Sequence, residues 1–257
     1  MLAVLSPAKS LDFSPPPKGV PFTVPEWLDD SAELIEVLRK KTPKALAKLM
    51  DLSESLATLN AERYRTWSPA FSAENAKQCL LAFVGDVYKG LSLAEYRRRD
   101  YDYAQEHVRI LSGLHGVLRP LDLIQPYRLE MGTALRTKRG VGLYRFWKAK
   151  VAPRLNADLA ASGSDVLVNL ASEEYFTVIE PTLLKARVVT AVFQDWSGGK
   201  YKILSFFAKR ARGMMADFMI RERVSTPEDL REFGAEGYSY AKGESAPDRL
   251  IFRRKKA

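Results

Sequence analysis

The 257-residue chain contains one cysteine, two histidines and no long apolar run. A single cysteine, Cys79, excludes an internal disulfide and indicates a reducing compartment, and we expect it to be a buried structural thiol. Without a CxxC, HExxH or EF-hand spacing, two histidines do not supply the ligands of a tightly held zinc or calcium ion, so we predict no metal and no cofactor. The apolar start, Leu2 to Ser6, is too short for a signal peptide or a membrane span, which predicts a cytoplasmic protein without membrane association.

The charge of the chain is basic and unevenly distributed. The chain contains 40 Lys and Arg residues and 31 Asp and Glu residues, which gives a net charge of +9. This excess favours nucleic acid or an anionic small molecule as partner. Residues 131–157 contain seven basic and no acidic residues, and residues 200–212 contain five and none. Each cluster is either a solvated basic face or a binding track for phosphates. The candidate phosphate ligands are Arg136, Lys138, Arg139, Arg145, Lys148, Lys200, Lys202, Lys209, Arg210 and Arg212.

Apolar and polar periodicities predict interspersed helices and strands. Strands are expected at 2–6, 80–85, 108–111, 165–170, 187–193 and 201–207, with a turn at 197–199 and a terminal hairpin formed by 238–240 and 250–252. Helices are expected from residue 29, with Asp30 or Ser31 as N-cap, and at 43–50, from 53, and at 94–107, 145–161 and 208–223. No repeat or linker divides the chain. We therefore predict one compact mixed α/β (α+β) domain over residues 1–257, with a mixed central sheet, surrounding helices and a helical insertion at about 30–65.

The stretch from Leu111 to Gly132 is the most distinctive segment. Two glycines and two prolines interrupt an apolar run that ends on Tyr127, Arg128 and Glu130. Glycine permits unusual backbone angles and close approach, whereas proline stiffens the chain. A long structured surface loop is one interpretation. The other is a rigid cleft wall that continues into the first basic cluster.

Polar residues also follow several of the predicted strands. Ser6 and Lys9 follow the first strand, Asn169, Ser172 and Glu174 lie at the end of another, and Lys209 and Arg212 follow the segment 201–207. Strand ends are where clefts gather functional groups, although structural hydrogen bonding is the common alternative. A serine beside a lysine, together with a carboxylate such as Glu130, is compatible with nucleophilic or acid–base chemistry.

The segment 49–57, LMDLSESLA, has the layout of a helix-hairpin-helix, in which backbone N–H groups and a helix N-terminus hold a DNA phosphate. Ser53 is the candidate phosphate ligand there. Asp51 and Ser53 stand where glycines are usual, and an ordinary helical hairpin is the alternative.

Taken together, five blocks of the sequence resemble the bacterial YaaA family of peroxide stress resistance proteins: SPAKSLDF (6–13), FVGDVYKGL (83–91), LSGLHGVLRPLDLIQPYRLEMG (111–132), NLASEEYF (169–176) and KRARGMMADF (209–218). The resemblance implies a mixed α/β fold with a helix-hairpin-helix and a positively charged cleft. It also implies binding to double-stranded or distorted DNA, and a role against peroxide linked to lower free iron. Carried onto this chain, the recurrent polar positions are Ser6, Lys9, Asp86, Tyr88, Arg119, Tyr127, Arg128, Glu130, Asn169, Ser172, Glu174, Tyr175, Lys209 and Arg212.

Two functions follow as hypotheses. The first is a monomeric, weakly sequence-specific DNA-binding protein. The second is an enzyme of unknown activity that acts on a nucleobase, a nucleic acid or another small anionic substrate in a basic cleft. The enzyme hypothesis requires Ser6, Glu130, Asn169 and Lys209 to meet in one pocket rather than to be dispersed over the surface.

Overall fold

The computed structural model describes residues 1–255, in which helices and strands are interspersed along the chain. The strands are β1 (Leu2–Leu5), β2 (Ser10–Leu11), β3 (Lys77–Gln78), β4 (Phe83–Val84), β5 (Val108–Ser112), β6 (Gly116–Leu118), β7 (Leu123–Ile124), β8 (Arg136–Thr137), β9 (Gly140–Val141), β10 (Val166–Leu170), β11 (Arg187–Ser197), β12 (Lys200–Lys202), β13 (Ser239–Tyr240) and β14 (Arg249–Arg254). The α-helices are α1 (Leu28–Arg39), α2 (Pro43–Met50), α3 (Glu54–Thr66), α4 (Cys79–Ala82), α5 (Arg98–His107), α6 (Leu143–Ala161), α7 (Glu173–Phe176) and α8 (Ser205–Glu222). The predicted mixed α/β class is confirmed.

An eight-stranded mixed sheet forms the centre of the molecule, in the order β13-β14-β11-β10-β1-β5-β6, with β12 added to the far end of β11. The strands β14, β11, β10, β1 and β5 run parallel, whereas β6, β12 and β13 are antiparallel to their neighbours. All residues of β1 are buried. A parallel strand covered on both faces requires such a continuous apolar run rather than an alternating one.

Helix α8 covers part of this sheet and later supplies two residues of the candidate site. It packs against β1, β10 and β11, and also against α5. Its buried positions include Ala208, Ala211, Met215 and Met219, which recur every three or four residues and so form one face of the helix.

The helices α1 to α3 lie where the helical insertion was predicted. Thr42 caps α2 by accepting a hydrogen bond from the Ala45 N–H, and Ser53 caps α3 in the same way for Leu56. Asp51 ends α2 in the left-handed conformation with φ 50°. The helix pair therefore exists, and its role as a DNA-binding helix-hairpin-helix stays a prediction.

The stretch 111–132 is mostly buried, so the surface-loop interpretation is wrong. Gly116 has φ +68° and lies under the rings of Trp27 and Trp147, while the Gly113 carbonyl accepts a hydrogen bond from the Trp147 indole at 2.9 Å. A side chain at Gly113 would also collide with the Leu129 carbonyl. The two glycines are thus required by close packing in the interior.

Three local predictions are wrong for physical reasons. Residues 80–85 form the end of α4 and the short β4 rather than one strand, because a short apolar run suits a buried helical turn equally well. The run 201–207 splits into the end of β12 and the first turn of α8, since the pairing of β12 with β11 stops at Lys202, opposite Asp195. Helix α1 starts at Leu28, and Asp30 and Ser31 do not cap it, because their side chains make tertiary bonds to Lys150 and Leu114.

Candidate functional site

A cleft opens at the carboxyl edge of the sheet, between β1 and β10. The two strands are parallel neighbours with Leu5 opposite Leu170. After β1 the sheet continues through β5 on one side, and after β10 it continues through β11 on the other. Ligands in open α/β sheets bind in the crevice at such a topological switch point.

Two serines close the floor of this cleft. The Ser172 backbone N–H donates to Ser6 Oγ at 2.9 Å, and the Ser6 hydroxyl donates to Ser172 Oγ at 3.2 Å. The Tyr88 hydroxyl donates to the Ser6 carbonyl at 3.1 Å. These bonds fix the ends of β1 and β10 against each other and against the segment that carries Tyr88.

The cleft is a cavity of about 290 Å³ with both apolar and charged walls. Its lining consists of Ser6, Pro7, Ala8, Lys9, Ser10, Val84, Gly85, Asp86, Val87, Tyr88, Ser172, Glu174, Tyr175, Lys209 and Arg212. A volume near the lower end of the range for ligand pockets suits one small molecule and is too small for a duplex.

A second part of the cleft wall is built by residues 84–88 and by Lys209 and Arg212 of α8. Strand β4 pairs with β2, and this pairing brings Val84 opposite Ser10. The following turn then meets α8 backbone to backbone: a Cβ placed on Gly213 would lie 1.7 Å from the Val87 carbonyl oxygen. This contact sets how close Asp86 and Tyr88 stand to the cationic face of α8.

Several charged groups around the cleft already have a partner in the protein. Lys9 Nζ lies 3.3 Å from Glu130 Oε1, which Arg128 Nε also approaches at 2.9 Å. Glu174 Oε1 accepts a hydrogen bond from the Gly132 N–H at 3.1 Å. The second oxygen of Glu130 is buried without a hydrogen-bond partner among the described residues.

Three charged groups of the lining have no such partner. Within residues 1–255, the side chains of Lys209, Arg212 and Asp86 form no hydrogen bond and no ion pair. Lys209 and Arg212 are three positions apart on α8 and therefore share one face of the helix. Burial lowers the pKa of the Arg212 guanidinium, which means that this cation is partly desolvated without a compensating anion.

Three buried tyrosines surround the floor. Burial raises the pKa of the Tyr88, Tyr127 and Tyr175 hydroxyls, so each is protonated at neutral pH. The Tyr127 hydroxyl is 2.7 Å from Ser112 Oγ and does not line the cavity. Tyr127 therefore supports the site from behind, whereas Tyr88 and Tyr175 are part of its surface.

The structure brings together most of the predicted cleft residues. Ser6, Lys9, Ser172, Glu174, Lys209 and Arg212 line one cavity. Arg128 and Glu130 do not line the cavity; Glu130 contacts the lining residue Lys9, and Arg128 contacts Glu130. The segment 111–132 therefore lies behind the cleft wall and does not form it. Asn169 is also outside the cavity. Its side-chain oxygen accepts a hydrogen bond from the Ala171 N–H at 3.0 Å and thereby shapes the turn that presents Ser172.

Gly90 and Gly213 were missed by the sequence reasoning. A signal existed, because an isolated glycine inside a helical pattern such as KRARGMMADF often marks a close packing contact.

The first basic cluster is largely compensated by acids. Arg139 pairs with Asp30 and Glu33, and Lys148 pairs with Glu180. Arg136, Lys138 and Arg145 are exposed and form no ion pair within residues 1–255.

The second basic cluster is mostly free. Only Arg210 has an acidic partner among the described residues, Glu236 at 2.7 Å, while Lys200, Lys202, Lys209 and Arg212 have none. The hairpin of β11 and β12 also exposes Trp196, and the start of α8 exposes Phe206. Exposed aromatic rings among unpaired cations are an arrangement suited to nucleic acids.

Comparison with known proteins shows the family of the chain. Residues 1–244 match the model of the family described as peroxide stress protein YaaA. The chain belongs to the YaaA family. It is 56% identical to a UPF0246 protein of Paracidovorax citrulli (strain AAC00-1) over 258 residues, and 55% identical to one of Ralstonia nicotianae over 257 residues; each match covers 100% of both chains. A UPF0246 protein of Ralstonia pickettii is 54% identical over 99% of both chains.

Neither a membrane-spanning helix nor a cluster of metal ligands is present in the described part of this YaaA-family structure. No described helix is long and apolar enough to cross a membrane. Within residues 1–255, no three His, Cys, Asp or Glu side chains cluster in a way that could hold a metal ion.

Proposed function

We propose that this YaaA-family protein acts in peroxide stress by binding double-stranded or distorted DNA with little sequence specificity. The observation that carries the proposal is the unpaired second basic cluster. Lys200 and Lys202 on β12 and Lys209 on α8 are exposed and have no acidic partner among the described residues, and the half-buried Arg212 has none either. An exposed cation without an internal partner is free to replace a counterion of a DNA phosphate, which is the main source of non-specific affinity.

The flanking aromatic residues favour binding to distorted DNA in particular. Trp196 is 41% exposed and Phe206 is 55% exposed, on either side of Lys200 and Lys202 in the chain. Unpaired bases stack on exposed rings, whereas bases within a regular duplex are inaccessible to them. We therefore expect tighter binding to a duplex with a bulge than to a fully paired one.

The resemblance links the family to lower free iron, and the proposed DNA binding adds a separate effect, which is to keep iron away from the DNA. Phosphates carry condensed cations, and a protein that neutralises them releases those cations. Ferrous ions bound at phosphates react with peroxide next to the DNA. Displacing them by Lys and Arg side chains would lower damage at the strand.

The test is a titration of the full chain against a fluorescent 20-base-pair duplex and its bulged counterpart at several salt concentrations. Removing two phosphate contacts in K200Q/K202Q should reduce the slope of log K against log salt by about 1.8. The matched control is K185Q/K242Q. Lys185 and Lys242 are also exposed and without an ion pair among the described residues, but they precede β11 and β14, at the opposite edge of the sheet. A slope near zero for the wild type, or equal effects of the two double variants, would refute the proposal.

A second candidate function is an enzyme that acts on a small anionic substrate. The specific observation in its favour is the cavity, which unites Ser6, Glu174 and Lys209 at the switch point of the sheet. Of the four residues that this hypothesis required, Ser6 and Lys209 line the cavity, Glu130 is one ion pair away, and Asn169 lies outside.

A further inference from the structure

The free charges of the cleft define what a ligand must carry. Lys9 is paired with Glu130, and one oxygen of Glu174 is used by the Gly132 N–H. Among residues 1–255, the charged lining side chains without any hydrogen bond or ion pair are the cations of Lys209 and Arg212 and the carboxylate of Asp86, and Glu174 keeps its negative charge because its partner is a neutral N–H. They line a single cavity, yet Asp86 lies within 4.0 Å of neither cation, since no ion pair joins them.

The cationic side of the cavity requires an anion. Arg212 is half-buried, and its guanidinium meets no acceptor of the protein, so burial removes part of its hydration without supplying a partner. Lys209, one helical turn away on the same face, adds a second positive charge. Arginine with a neighbouring lysine is the usual arrangement for a phosphate group.

Asp86 requires the opposite kind of group. An ionised carboxylate only accepts hydrogen bonds, through two oxygens that suit two neighbouring N–H donors. Among the common nucleobases, guanine alone presents two adjacent donors, N1–H and N2–H₂, on its Watson–Crick edge. Adenine and cytosine place an acceptor beside their amino group, and uracil and thymine flank one donor with two carbonyls.

The remaining walls suit a flat heterocycle. Ala8, Val84 and Val87 contribute apolar surface, and the buried rings of Tyr88 and Tyr175 lie beside them. The volume of about 290 Å³ is in the range for one nucleotide.

We propose that the cleft binds a guanine nucleotide, with its phosphate on Lys209 and Arg212 and its N1–H and N2–H₂ groups on Asp86. The inference deepens the proposed function, on which it rests, because a cavity of this kind can also receive one guanosine displaced from a distorted strand. Free nucleotide binding nevertheless remains measurable without any DNA.

The test is calorimetric titration of the full chain with guanosine monophosphate, adenosine monophosphate and guanosine. We expect the guanine nucleotide to bind about tenfold or more tightly than the adenine nucleotide, as one bidentate base contact allows. Guanosine, which lacks the phosphate, should bind at least about tenfold more weakly than guanosine monophosphate. Equal affinity for the two nucleotides would overturn the proposal, and this comparison needs no variant.

D86N provides a readout that a structural role would not produce. Asparagine offers one donor and one acceptor, which matches the N1–H and C2 carbonyl of xanthine. The variant should lose affinity for guanosine monophosphate and gain affinity for xanthosine monophosphate. D165N is the matched control, because Asp165 is exposed at the amino end of β10, away from the cleft, and its substitution should leave both affinities unchanged. R212Q should lower the affinity for both nucleotides by about tenfold or more without changing the base preference.

The outcomes separate this inference from DNA binding. Salt-dependent duplex binding without any nucleotide binding would overturn the guanine site and leave the DNA proposal standing. Guanine-selective binding without duplex binding would support the site and overturn the DNA proposal. An unchanged base preference in folded D86N would overturn the assignment of Asp86.

Discussion

The contact between α8 and the segment 86–90 makes a strong prediction for Gly213→Ala. A Cβ at this position would lie 1.7 Å from the Val87 carbonyl oxygen, half of the 3.4 Å at which van der Waals contact becomes ordinary, and 3.2 Å from Gly90 Cα. Both obstacles are backbone atoms, so no rotamer change can relieve the collision. Helix α8 and the turn must instead move apart.

Two effects of this substitution have opposite signs. Alanine is favoured over glycine inside a helix by about 1 kcal/mol. Overpacking costs typically about 1–3 kcal/mol, and more where backbone has to shift. Here only movement of the backbone can relieve the collision. We therefore expect its cost to exceed the gain in helix propensity, so that the free energy of unfolding falls by at least about 2 kcal/mol.

Urea unfolding followed by tryptophan fluorescence measures the change, and calorimetry with guanosine monophosphate measures its effect on the cleft. Gly243→Ala is the matched control, since a Cβ at Gly243 meets nothing within 4 Å, and its effect should stay within about 0.5 kcal/mol. G213A should also lower the affinity for guanosine monophosphate, because Asp86 would move away from Arg212. If G213A proves as stable as the wild type, the close approach does not hold the cleft together and the reasoning is refuted.

Two further predictions concern titratable groups in the core. Burial lowers the pKa of His115 to about 3, below its ordinary value of 6.5, so the unfolded chain binds its proton first and stability should fall as the pH drops from about 6.5 towards 3. Thermal unfolding should record a loss of up to roughly 3 kcal/mol between pH 6.5 and 4, and H115Q should flatten that slope; an unchanged slope would contradict the assignment. Burial raises the pKa of the Cys79 thiol, which donates to the Arg119 carbonyl at 3.1 Å, so it is a poor nucleophile and a poor peroxide sensor. Intact-protein mass spectrometry should find it unmodified after peroxide or a thiol reagent acts on the native protein and fully labelled after unfolding, whereas rapid labelling of the native protein would exclude this buried environment.

The course of the sheet was largely predictable from local sequence. The predicted runs 165–170 and 187–193 are rich in apolar and β-branched residues and lie in β10 and β11, and the Ser197-Gly198-Gly199 turn joins β11 to β12 as expected. The strand edge that collects Ser6 and Ser172 was predicted for the same reason, since both residues directly follow short apolar strands.

Other features depended on contacts that no local pattern encodes. The run 201–207 has strand propensity, but the chain has already left the ladder, so Ser205 begins a helix. The pairing of Lys148 with Glu180 and of Arg139 with Asp30 removes cations from a cluster that contains no acid in its own segment. Likewise, the lack of a hydrogen-bond or ion-pair partner for the Arg212 side chain can be known only from the positions of its neighbours in the fold.

The hydrogen bonds between Ser6 and Ser172 join residues 166 positions apart, and this separation has a consequence for synthesis. At about 5–20 residues per second, a ribosome needs roughly 8 to 33 s to make the chain between them. During that time β1, whose four residues are all buried in the finished protein, has emerged without the neighbour that completes the cleft. The nascent chain therefore exposes its most apolar strand early and acquires its candidate binding site late. Chaperone binding to the nascent chain is best timed before residue 170 appears, and a fragment that ends between residues 157 and 170 would carry the basic segment 131–157 but no floor for the cleft.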